Sequence, residues 1–89
     1  MLKLGTTNQF EKDFDRTIKR GKDKEKLFSV MQKLLNQDKL DESLRDHPLK
    51  GPLAGRRECH IEPDWLLIYL KKPDRIIFER TGTHSDLFR

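Results

Sequence analysis

At 89 residues the chain has room for one domain and one modest core, since a chain this short buries only about 60–65% of the surface it exposes when unfolded. With 34% apolar residues, a single cysteine (Cys59), no apolar leader and no apolar run of membrane-spanning length, composition excludes an internal disulfide, a cysteine-based metal cluster and a membrane span, and points to a cytoplasmic protein. Nineteen Lys and Arg against fifteen Asp and Glu leave +4, which fits a polyanionic partner but equally a basic surface with no special task.

Residues 1–6 read as a short strand. Asn8, three residues before Glu11, is placed to cap a helix. Phe10, Phe14 and Ile18 follow at four-residue spacing, one stripe of that helix, and Gly21 supplies a left-handed C-terminal cap. Asp23 opens a second helix whose apolar residues Leu27, Val30, Met31, Leu34 and Leu35 keep a 3.6-residue period. The short Gly21-Lys22 connection makes the two helices antiparallel neighbours. Such stripes are far more often core than ligand pocket.

Asp38 to Pro52 is rich in acidic residues, proline and glycine and reads as a loop. Three strands follow. Arg57 to Glu62 alternates, with Cys59 and Ile61 on one face and Glu58 and His60 on the other. Pro63-Asp64 is a turn, Trp65 to Leu70 a central strand buried on both faces, Lys72-Pro73-Asp74 a second turn, and Arg75 to Thr81 the last strand. The fold class is α+β: a short N-terminal strand, then an antiparallel helix pair packed on one face of a small antiparallel sheet, with the other face partly open.

The titratable residues suited to catalysis lie in the second half. His47, His60 and His84 fall in a loop, on a strand and in the tail, and histidine exchanges protons near neutral pH. Metal-free RNA cleavage needs a base for the 2′-hydroxyl, an acid for the departing 5′-oxygen and a cation for the charge that builds on phosphorus. The histidines, Asp64 and Arg80 are the right types. Equally, scattered surface histidines need do nothing, and His60 with Asp64 could simply brace a turn. No metal is expected, because no H-x-x-x-H or H-x-H pair is present. Cys59 reads as a small core residue. Trp65 reads as core, with base stacking the alternative.

Three ordered blocks carry a resemblance: Asp46-His47-Pro48-Leu49-Lys50-Gly51, the run from Arg57 to Tyr69, and Glu79-Arg80-Thr81-Gly82-Thr83-His84-Ser85-Asp86-Leu87-Phe88. They closely resemble the YafQ family of the RelE superfamily, loosely through the helices and densely from residue 46 onward. The resemblance implies a RelE-like single domain over residues 1–89 and a type II toxin that cuts messenger RNA in the ribosomal A site. It implies no cofactor, a DinJ-like antitoxin as partner, and contact with operator DNA only through that antitoxin. It places catalytic residues at His47, His60, Asp64, Arg80 and His84, and substrate contacts at Trp65, Phe88 and Lys50. His84 is the expected acid and His47 or His60 the expected base. Asp64 either orients an imidazole or takes the proton itself, and Arg80 bears the transition-state charge. Lys12, Lys19 and Lys33 would meet ribosomal RNA, or form an ordinary solvated helix face. The alternative is a ParE-like toxin that binds DNA gyrase and cuts nothing; such a binder has no need of the histidines.

Overall fold

The structure, a computed structural model, describes residues 1–88. The chain runs β1 (Lys3–Thr6), α1 (Asn8–Lys19), α2 (Lys24–Leu35), β2 (His47–Pro48), β3 (Arg57–Glu62), β4 (Trp65–Lys71), β5 (Arg75–Gly82) and α3 (His84–Leu87). Two short 3₁₀ turns, Glu42–Leu44 and Gly51–Leu53, flank β2, so the segment expected to be loop contains a strand. The five strands lie in the order β1-β5-β4-β3-β2. β3, β4 and β5 form the expected antiparallel meander, but β1 runs parallel to β5, which makes the sheet mixed. The path through both helices and three strands returns β5 alongside β1 in the same direction, as a parallel pairing requires.

The cap of α1 is Thr7, not Asn8. The Thr7 hydroxyl accepts from the Phe10 amide at 3.0 Å and donates to the Glu79 carbonyl at 2.9 Å, so it starts the helix and ties it to β5. At the other end Gly21 has φ +90°, and the Gly21 and Lys22 amides reach back to the Ile18 and Thr17 carbonyls. Asp23 caps α2 through the Glu25 amide, as expected.

The core joins Phe10 of α1 and Leu27, Val30, Met31, Leu34 and Leu35 of α2 to Cys59, Ile61, Trp65, Leu67, Tyr69, Ile76 and Phe78 of the sheet. Each large aliphatic or aromatic side chain removed from water here contributes about 1.5–3 kcal/mol. α1 departs from its expected stripe: Phe14 and Ile18 are only half-buried, whereas Asp13 and Thr17 are buried. β1 pairs only with Arg75 to Phe78, so the remaining edge of β5 is closed by α1 itself. An edge carries free peptide groups, and a helix covering it must bring polar partners; Asp13 accepts the Thr81 amide at 3.2 Å.

The register between β4 and β5 breaks between Ile68 and Tyr69: Tyr69 pairs with Phe78 but Ile68 pairs with Arg80, leaving Glu79 as an extra residue. Strict alternation from Ile76 and Phe78 would point Arg80 into the core. The bulge turns it to the opposite face.

Candidate active site

Across the face away from the helices, strand pairing sets His47 beside Glu58, Glu58 beside Ile68 and Ile68 beside Arg80. The neighbouring row is His60, Leu66 and Gly82. Leu66 and Ile68, at the middle of this face, are 0% and 2% exposed, so β4 is buried on both sides as expected and the face is not a bare apolar surface. Its functional groups are therefore polar side chains on a rigid apolar floor.

The three imidazoles follow one another, with His60 next to both of the others. Ring centroids are 6.1 Å apart between His47 and His60, and 5.8 Å apart between His60 and His84. His47 is held by its Nδ1, which lies 2.6 Å from the Arg45 carbonyl. A carbonyl can only accept, so Nδ1 carries a proton, and in the neutral ring Nε2 is then the acceptor. The carbonyl is aimed by an unusual backbone: Arg45 has φ +49°, ψ +45°, a left-handed conformation for a non-glycine residue. Asp46 then pins the segment to the sheet, accepting from Tyr69 Oη at 2.6 Å and from Arg57 Nε and Nη2 at 3.3 and 3.4 Å. Burial, followed by that carboxylate, drives the Tyr69 hydroxyl pKa upward, so it stays a donor.

Glu58 is buried, and its Oε1 lies 3.7 Å from Nε2 of both His47 and His60. One carboxylate thus serves two rings. His84 is the first residue of α3, and its backbone amide and Nδ1 reach the same oxygen of Asp64, at 2.8 and 2.6 Å. The amide bond and the ring bond hold the Asp64 carboxyl below its ordinary pKa, so Asp64 is an ionised acceptor. His84 Nδ1 must then donate, leaving Nε2 to exchange a proton. α3 itself is set by a capping box between Thr83 and Asp86, and Asp86 is clamped by Arg20 Nη1 at 2.7 Å. A cleft of about 490 Å³ opens beside these rings, with His60, His84, Arg45, Leu44 and Pro63 in its wall.

Of the residues singled out from sequence, His47, His60 and His84 come together, Asp64 joins His84, and Arg80 shares their face of the sheet. His60 does not pair with Asp64; the turn places Asp64 against the tail instead. Trp65 stands apart: it is 1% exposed, packs in the helix-side core and donates to Thr81 Oγ1, leaving its ring no free face for a base. Phe88, at the end of α3, is exposed and available for stacking. Lys50 is exposed three residues beyond His47, and Lys12, Lys19 and Lys33 are exposed on the helices. Burial pushes the Cys59 thiol up to about 12, in keeping with a core residue. Among the described residues no three His, Cys, Asp or Glu side chains are grouped as a metal site.

Sequence reasoning passed over Arg45, Glu58 and Asp13. Glu58 had a signal, since strand alternation already set it on the face of His60. Arg45 and Asp13 had none, because their roles rest on a backbone angle and on an edge closed from far along the chain.

The mixed five-stranded sheet, with its helices on one face and the three imidazoles, Asp64 and Arg80 gathered at the other, is a RelE-like toxin fold. The YafQ family, bacterial toxins of type II toxin-antitoxin systems, matches residues 2–89, and the chain belongs to it. The mRNA interferase toxin YafQ of Escherichia coli strain K12 is 46% identical over 84 residues, 92% of this chain and 90% of that protein. A copper-bound mutant toxin from Helicobacter pylori has a TM-score of 0.94 at 45% identity, over 99% of this chain and all of that one. A chain of the E. coli DinJ–YafQ complex has a TM-score of 0.92 at 41% identity, over the whole of both chains.

Proposed function

We propose that this protein is an mRNA interferase of a type II toxin-antitoxin system, cutting messenger RNA on the ribosome without a metal and held inactive by a DinJ-like antitoxin. The observation that carries the reading is the His84–Asp64 pair at one end of a run of imidazoles whose other end, His47, is oriented by its Nδ1 on the Arg45 carbonyl, with Nε2 as its second ring nitrogen. An in-line phosphoryl transfer needs a base at the attacking oxygen and an acid at the departing one, and the two end imidazoles are the groups of that chemistry. His47 Nε2 takes the proton of the 2′-hydroxyl, whose oxygen attacks the adjacent phosphorus. The P–O5′ bond breaks, and His84 Nε2 gives its proton to the departing 5′-oxygen. The products are a 2′,3′-cyclic phosphate and a 5′-hydroxyl. Asp64 orients His84, His60 sits between them at the phosphate, and Arg80 meets the charge on its oxygens. Phe88 stacks on a base, and Lys50 contacts the RNA backbone. The site of action is the cytoplasm, where ribosomes translate, and operator DNA is reached only through the antitoxin. A gyrase-binding role leaves the run of imidazoles without a task.

The test is cleavage of a defined messenger on purified translating ribosomes. The wild-type protein should cut within the A-site codon. His84→Ala should lower the rate by about 10²–10⁴-fold while keeping its circular dichroism and antitoxin binding. Cleavage should persist with chelator in excess and polyamine supporting the ribosomes; because one solved relative carries copper, a copper arm belongs in the same series. A folded protein that cuts nothing would overturn the reading in favour of gyrase binding.

A further inference from the structure

Asp13 has no counterpart in the chemistry above, yet it is a carboxylate with 0% exposure in a small protein. Taking such a charge out of water is costly, and a well-packed apolar side chain often serves stability as well or better. Its surroundings show what the charge holds. Arg80 Nε and Nη2 meet it at 2.7 and 3.3 Å, the Thr81 amide at 3.2 Å, Arg16 Nη2 at 3.0 Å and Gln9 Nε2 at 3.0 Å.

Two of these contacts act on the same functional side chain. The Thr81 amide fixes the backbone immediately after Arg80, at the bulge that turns Arg80 toward the site. The side-on grip on Nε and Nη2 fixes the plane of the guanidinium and leaves its Nη1 edge for a substrate, and the Arg80 side chain retains 33% exposure for that purpose. A long, free arginine would spend most of its time elsewhere; a gripped one is preorganised. Arg16 extends the contact, lying 3.7 Å from Asp86, the residue that caps α3 beneath His84. One face of α1 thus faces both the cation and the acid of the site.

We infer that Asp13 is the positioning residue for Arg80, setting the guanidinium that meets the scissile phosphate; this rests on the cleavage reading above. Asp13 touches no substrate. It acts through Arg80, so its removal should matter only while Arg80 is present.

The experiment is a double-mutant cycle of Asp13→Asn and Arg80→Ala, read by single-turnover cleavage on saturated ribosomes, with ribosome binding and thermal unfolding measured alongside. The Arg80 Nε–Hε resonance is followed by NMR in each protein that keeps the arginine. Asp13→Asn should slow cleavage by about 10- to 100-fold, shift ribosome affinity by no more than about threefold, and add no further loss in the Arg80→Ala background. The Arg80 Hε should be sharp and slow to exchange in the wild-type protein and should lose that protection in Asp13→Asn. Losses that multiply in the double variant, unchanged cleavage in Asp13→Asn, or a weakened ribosome complex would each overturn the assignment. If Asp13→Asn does not fold, the wild-type resonance still decides: a rapidly exchanging Arg80 Hε means Asp13 does not hold it. Absence of cleavage by the wild-type protein sinks the parent reading, while the resonance still reports whether Asp13 fixes Arg80.

Discussion

Asp64 acts on His84 twice through one oxygen, once on the backbone amide and once on Nδ1. The first bond sets where the tail starts and the second sets which nitrogen holds its proton. Asp64→Asn keeps the shape but removes the charge, and an amide can turn its NH₂ toward the ring. Cleavage should fall by about 10- to 100-fold, with a changed pH–rate profile, because the histidine loses its oriented partner. Both side chains are more than half exposed, so thermal unfolding should move little. A variant with unchanged kinetics would show that Asp64 is a bystander. At this scale the sequence was informative about residue types and poor about partners. His47, His60, Asp64, Arg80 and His84 were all legible, but His60 joined Glu58 and His84 joined Asp64, pairings that no spacing along the chain expresses.

The elements that carry these residues are short and held by particular backbone devices. α3 begins two residues after Gly82, whose φ is +155° and whose position a Cβ would crowd: it would lie 2.8 Å from Asp86 Oδ2. Asp86 is half of the capping box that shapes α3, so a methyl group at Gly82 pushes on the support of His84. Gly82→Ala should therefore reduce cleavage by at least about tenfold and destabilise the fold by about 1–2 kcal/mol. Activity assays and thermal unfolding check this; full activity would mean that the tail tolerates displacement. Both long helices and β3 were legible at this scale from their periodicity, β4 from its continuous apolar run and β5 from the turn before it, and the predicted β3 bounds, Arg57 to Glu62, match those observed. The two-residue β2 was not, since His47 and Pro48 have no alternation to display and pair only because Asp46 is fastened to Tyr69 and Arg57.

Over the whole molecule, ion pairs link the helices and their ends to the sheet and the tail: Arg20 and Arg16 to Asp86, Lys22 and Lys26 to Glu62, Arg80 to Asp13. The bond to Arg20 holds Asp86 well below the ordinary carboxylate pKa despite its desolvation, and Lys22 and Lys26 lower that of Glu62. A carboxyl depressed in the folded state binds its proton more readily when unfolded. Its contribution is complete above the unfolded value, near 4, and is lost as pH falls toward the folded value. Thermal unfolding midpoints should thus hold steady near neutrality and fall as pH drops from about 5 toward 2. Asp86→Asn should lower the midpoint at pH 7 and flatten the acid limb. Parallel curves for the two proteins would show that Asp86 does not couple α1 to the tail.

The sequence by itself determined the two long helices and the three long strands, the core residues of α2 and of the sheet, and which side chains could move protons, because residue pattern and residue chemistry are local properties. Tertiary structure decided the rest. β1 lies parallel to β5 because the chain returns beside it only after both helices. α1 buries Asp13 because it closes the edge that β1 leaves open. Arg80 faces the site because Glu79 is an extra residue in β5, and one extra residue moves every later side chain to the other face. Each of these depends on a partner strand or helix far away in sequence, which neither pattern nor composition can represent.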